Sequence, residues 1–166
     1  MTFERKLDSY EFWQYSIQVY QHDMVKMQSL YLQDHFFANV NLLLLCMFLD
    51  RQGLVLKRAQ LERIIDDTTE IQDRLIIHRE VRKGLKAQPI EYMHDTLSEY
   101  QRALDEEKEL EKEQQAIMVN TFNKHICHQV SFTDDVSSHL NLFTYAEIIG
   151  RNFDVDNAIN ILCEYV

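Results

Sequence analysis

Turn-formers are what this sequence lacks. Three glycines and one proline in 166 residues leave too little punctuation for a many-stranded sheet. The fold expectation is therefore all-α. Cysteine is also scarce, and Cys46, Cys127 and Cys163 are too few and too scattered for a disulfide framework. The N-terminal MTFERKLDSYEFW has no apolar core and no small-residue cleavage site, which argues against a secretory signal. Reduced thiols in a cytoplasmic protein are the expectation. Positive charge is short as well: a net charge of −10 removes the default attraction to nucleic acid or anionic lipid.

A membrane-length apolar run is missing too. The longest greasy stretch, 36–49, has 14 residues and is broken by Asn39 and Asn41, whereas a membrane-spanning helix needs about 20 apolar residues. Asn39 is placed to cap a helix, Val40 to Leu49 is apolar on every side, and Gly53 suits a left-handed residue after its end. The run reads as a helix buried among other helices, not as a membrane span.

What the sequence has in quantity is helical periodicity. Asp8 with Glu11 forms a capping-box pattern for a first helix that carries Phe12, Trp13, Ser16, Ile17 and Tyr20 on one side. A second helix spans about Asp23 to Asp34, and the buried helix follows. A fourth begins near Lys57 and is interrupted by DDTTE; Asp67 or Thr68 is placed to cap a fifth that stops before Pro89. From Ile90 a seam of Met93, Leu97, Tyr100 and Leu104 fades in DEEKELEKEQQ (105–115), where only Leu110 is apolar. That segment reads as a solvated helix or a helical link within one long helix over 90–129. Thr133, Asp134 or Asp135 is placed to cap a short helix, and an amphipathic helix closes the chain after Gly150. The expected architecture is a single helical domain over 1–166, a bundle of six to eight helices with a small C-terminal part.

The blocks FWQYSIQVY, LYLQDHFFANVNLLLLCMFLDRQG, RLIIHREVRKGLK and HLNLFTYAEIIG carry a resemblance. Together they resemble an uncharacterised gammaproteobacterial family of small helical proteins, a domain of unknown function whose specific element is the LQD…VNLLL block. The resemblance runs from Asp8 to the end; where the family often has a Trp before its basic helix, this chain has Ile71. It implies a cytoplasmic helical protein and brings no activity, cofactor or catalytic residue.

Chemistry is sought residue by residue. Glu91-x-x-His94 shares a helix face as in di-iron bundles, but no second such pair exists. His125, Cys127 and His128 are zinc-type ligands without a fourth partner, since Cys127 points away from the His face and His139 joins only through the fold. No nucleophile elbow or phosphate-cradling glycine loop is present. No catalytic residue, metal ligand or cofactor is assigned.

The remaining candidate is a basic stripe: Arg74, His78, Arg79, Arg82, Lys83 and Lys86. On a helical wheel Arg74, His78 and Arg82 fall among Ile71, Leu75, Ile77, Val81 and Leu85, where charges need partners. Two readings compete. The cations pair internally, with Asp34, Asp23 or Glu11, or they line a groove for an acidic or phosphate-bearing partner. The functional expectation is a non-catalytic protein-interaction or regulatory module with a protein partner, not nucleic acid or membrane. A homodimer through the long helix is open. The alternative is a small-molecule or metal-binding helical protein, including an enzyme, with its pocket between helices.

Overall fold

The computed structural model describes residues 5–87 and 93–166. Eight α-helices carry it: α1 Ser9–Tyr20, α2 Asp23–Phe36, α3 Val40–Arg51, α4 Arg58–Asp67, α5 Thr69–Lys86, α6 Met93–Thr121, α7 Leu140–Ile149 and α8 Phe153–Cys163. The all-α bundle foreseen from the scarcity of turns is what forms. Two interruptions were not foreseen. α6 runs into a π-helical turn at Phe122–Ile126, and two short strands, β1 Leu54–Val55 and β2 Ser131–Phe132, pair antiparallel.

α3 is the axis of the core. Every residue from Asn41 to Asp50 is buried, as its apolar surface on all sides requires. Asn39 Oδ1 accepts from Leu42 N at 3.3 Å and starts the helix. Phe48 on α3 stacks on Phe12 of α1, with ring centroids 5.3 Å apart. α7 lies along the opposite side, where the Tyr145 hydroxyl accepts from Asn39 N at 2.8 Å. α8 covers α2, bringing Tyr165 against His22. Gly53 has a positive φ of 69°, and a Cβ there would stand 2.6 Å from the Thr133 carbonyl oxygen, so the close pass of β2 admits no side chain.

No described helix is long and apolar enough to cross a membrane. No disulfide joins Cys46, Cys127 and Cys163 among the described residues, and Cys46 and Cys127 are buried.

Thr68 corrects one expectation. It stands before α5 but does not cap it; its hydroxyl turns back to donate to Ile64 O at 2.8 Å and closes α4 instead. The helix through 105–115 is solvated along one side, as its charges imply, and what its sequence hides is the other side. There α6 packs antiparallel on α5, with Glu107 and Gln114 buried in the joint, while Gln115 is buried against Ser16 of α1 and Asn41 of α3. The joint is held by polar side chains, so it leaves no apolar signature to read.

Candidate functional site

The polar joint begins with the face that α5 turns inward. Ile71 and Leu75 are buried, and one and two turns on the same face continues as His78, Arg79 and Arg82. Ile77 and Val81, expected on the packed side, face solvent at 65% and 56% exposure. The inward stripe follows 3- and 4-residue steps through the polar residues, so counting only apolar positions rotated the face.

α6 supplies the counter-charges. Arg82 Nε donates to Glu107 Oε2 at 2.6 Å, and Arg79 Nε reaches Glu107 Oε1 at 3.4 Å. Arg79 also reaches Glu111 Oε1 at 3.5 Å. These pairs replace the expected partners Asp34, Asp23 and Glu11. Burial pushes the Glu111 carboxyl above its usual range, against the lowering effect of Arg79. His78 Nε2 stands 2.7 Å from Ala103 O, and because a carbonyl only accepts, that nitrogen carries the proton.

Beside this cluster lies a cleft of about 620 Å³ between α1, α2, α3, α5 and α6, the size of a small-molecule site. Trp13, Ile17 and Tyr20 of α1 form one wall, and Leu30, Leu44 and Leu104 add apolar surface. Burial pushes the Tyr20 phenol up to about 12, so it stays a neutral donor at physiological pH. Five cations, Lys26, Arg79, Arg82, Lys83 and Lys108, stand against three carboxylates, Asp34, Glu107 and Glu111. The cleft is thus locally cationic on a chain of net charge −10.

The inner wall is a relay of amides. Gln115 Nε2 donates to Ser16 Oγ and to Asn41 Oδ1, each at 3.0 Å. Asn41 Nδ2 donates to Gln114 Oε1 at 2.8 Å, and Gln114 Nε2 to Gln72 Oε1 at 2.7 Å. The relay stops at Gln115, whose Oε1 is buried with no donor among the described residues. Turning that amide over would set its oxygen against the Asn41 oxygen and against a Ser16 hydroxyl already donating to Phe12 O. Its neighbours fix the orientation.

The predicted stripe therefore divides. Arg79, Arg82 and Lys83 line the cleft. Arg74 and His78 line a shallower groove on the other side of the α5–α6 pair, where exposed Arg74 sits 3.8 Å from Glu113. Lys86 is exposed in the last turn of α5 and lines neither. Sequence reading missed Trp13, Tyr20, Glu107, Glu111 and Gln115 as members of one site. A signal existed for the last three: 103, 107, 111, 115, 118 and 122 follow helical spacing, with polar residues continuing a buried stripe.

The other candidates gather no site. Glu91 lies outside the described residues, and so does the side chain of His94. Cys127 is buried and its Sγ donates to Asn123 O at 3.0 Å, while His125 and His128 lie on exposed surface. Among the described residues no three His, Cys, Asp or Glu side chains are grouped to hold a metal ion.

Fold and site together define a class: an all-α bundle with an ion-laced cleft between helices. The chain belongs to the family described as "Protein of unknown function (DUF2390)", whose family model matches residues 11–118. All the cleft residues named here fall inside that segment, and α7 and α8 fall outside it. No curated protein and no solved structure matches this chain.

Proposed function

We propose that this protein is a binding module that takes a carboxylate- or phosphate-bearing partner into the cleft between α1, α2, α3, α5 and α6. The observation that carries the reading is the reversal of charge: a cationic cleft with an aromatic wall on an acidic chain. Arg79 and Arg82 are already engaged by Glu107, so they serve as a held, oriented base. Lys83 and Lys108 remain to meet an incoming anion; Lys83 touches only Glu80 at 3.4 Å, in an exposed pair, and Lys108 makes no ion pair among the described residues. Such an exposed pair is worth about 0–1 kcal/mol and is readily exchanged.

Binding is favoured over catalysis because no His or Cys lines the cleft among the described residues. The Ser16 hydroxyl, its one nucleophile of that kind, donates to the Phe12 carbonyl and has no base beside it. The concave shape favours a small molecule or a short segment over a flat protein surface.

Amide chemical-shift mapping with hexanoate and with inorganic phosphate, at constant ionic strength, tests this. The expected shifts cluster at 13–21, 79–83 and 104–115 and are lost when Lys83 and Lys108 are both replaced by Glu. Shifts scattered over the surface, or equal in the variant, would overturn the reading.

A further inference from the structure

The α5–α6 pair has two long faces of opposite character. The cationic cleft occupies one, and the other carries the shallow groove that Arg74 and His78 line. On this second face Ile77 and Val81 stand one turn apart on α5 and remain 65% and 56% exposed. Leu110 of α6 adds half-buried apolar surface to the same groove. Ile77 and Val81 add nothing to the chain's own core, and with Leu110 they form an apolar strip rather than isolated surface residues.

The rim of the strip is acidic. Asp105, Glu106, Glu109 and Glu113 of α6 border the groove, against the guanidinium groups of Arg74 and Arg102. Four carboxylates facing two such cations leave the rim negative. Their present pairs are loose: Glu113 meets Arg74 at 3.8 Å, Glu106 meets Arg102 at 4.0 Å and Glu109 meets Lys112 at 3.6 Å, all between exposed side chains. Pairs of that kind exchange readily, so the carboxylates can turn to cations from outside the chain.

Charge selects the occupant. A second copy of this chain would bring the same four carboxylates onto a negative rim, and anionic lipid or nucleic acid would meet the same repulsion. A cationic partner gains where those lose. Shape selects its form, because a groove along two antiparallel helices is the seat of a third, which covers the strip and completes a three-helix packing. From Arg102 to Glu113 the groove follows roughly 16 Å of helix rise, about three turns.

We propose that this groove receives a basic amphipathic helix of another protein, about three turns long. Its apolar stripe lies on Ile77, Val81 and Leu110, and its lysines or arginines meet Glu106, Glu109 and Glu113. The site is independent of the anion-binding cleft, which opens on the opposite face of the α5–α6 pair.

Calorimetric titration and amide chemical-shift mapping with a helical model peptide of leucine and lysine, about four turns long with leucine along one face, test this. One comparison peptide carries glutamate in place of lysine, and another has the same composition in an order that scatters the leucines. With the leucine–lysine peptide, shifts are expected at 74–81 and 102–113 and not at 13–21, the α1 wall of the cleft. Both comparison peptides are expected to bind at least about tenfold more weakly. Glu106→Lys with Glu109→Lys, and Ile77→Ser with Val81→Ser, alter exposed side chains only, and each pair is expected to weaken the peptide about tenfold or more. If the scattered peptide binds equally well, or the serine variant binds as the wild type does, the attraction is bulk charge and the groove is no helix seat. Shifts at 13–21, or no binding at all, would overturn the proposal as well. A wild type that dimerises in sedimentation, beside a serine variant that does not, would assign the groove to a second copy instead.

Discussion

Two buried polar clusters in this molecule do opposite things with their hydrogen-bonding capacity. At the end of α3, Asp50 Oδ1 accepts from Asn141 N at 2.9 Å and from Asn141 Nδ2 at 2.7 Å, and Asp50 Oδ2 accepts from Leu142 N at 3.2 Å. Asn141 Oδ1 in turn accepts from Leu56 N at 2.9 Å, and its Nδ2 also donates to Leu54 O at 2.6 Å. That cluster ties α7 and β1 to α3, and the Asp50 and Asn141 oxygens all find donors. The cluster around α6 has the same ingredients, buried carboxylates and amides, but Glu107 and Glu111 and the Arg79 and Arg82 they pair with line a cleft. A buried polar network that closes on itself is a fastening. One whose ion pairs line a cleft is, on the function proposed above, the floor of a binding site.

Breaking the closed cluster is expected to have the largest effect. Asn141→Ala removes the side-chain donor to Asp50 and Leu54 O and leaves the Leu56 amide without its acceptor in the core, for a loss of about 3 kcal/mol in urea unfolding. Glu111→Gln in the open cluster is expected to change stability by less than about 1 kcal/mol. Equal losses would erase the distinction between fastening and site.

Next is the ion pair under the cleft. Glu107→Leu leaves Arg82 and Arg79 without their shared carboxylate, at a loss of about 1–3 kcal/mol, because Arg82 still reaches some solvent. Replacing Arg82 by Met in the same chain is expected to restore most of it, since an apolar pair of similar volume substitutes for a buried ion pair. A double-mutant cycle by denaturant unfolding measures the coupling. If the double variant stays as unstable as the single one, the pair has a structural role beyond its own charge balance.

A smaller effect sharpens the comparison through pH. Burial holds the Glu111 carboxyl above its unfolded value, so the native state binds its proton first. Its stabilising contribution is present when it is protonated and is lost as pH rises through its folded pKa. Wild type is therefore expected to gain on Glu111→Gln as pH falls from neutral into the carboxylate range, read as a growing difference in Tm. A difference that shrinks on acidification contradicts the raised pKa.

How legible this was follows from where the signals lie in the chain. α3 could be read whole, because its cap at Asn39, its apolar decade and the positive φ of Gly53 are all local. The capping role of Asp8, whose Oδ1 accepts from Glu11 N at 2.9 Å, is local too. On α5, the 3- and 4-residue recurrence of basic residues was visible, and so was their need for partners. The identity of the partners was not, because Arg82 and Glu107 stand 25 residues apart and meet only once α5 and α6 fold back on each other. The usable pattern is a mirror: basic positions on one arm of a helical hairpin facing acidic ones on the other. The cleft itself was out of reach, since its walls come from five helices that meet only in the fold.

The smallest expected effect on stability accompanies the largest on binding. Lys83→Glu with Lys108→Glu lies on exposed surface and is expected to move the unfolding free energy by no more than about 0.5 kcal/mol. The single tryptophan of the chain, Trp13, stands in the cleft wall and reports on its occupancy. The decisive measurement is energy transfer from Trp13 to anilinonaphthalene sulfonate, an anion with an apolar aromatic body. The account predicts saturable one-to-one binding to the wild type and its loss in the folded double variant. Identical transfer in the two proteins, or none in either, would contradict the cleft as a binding site.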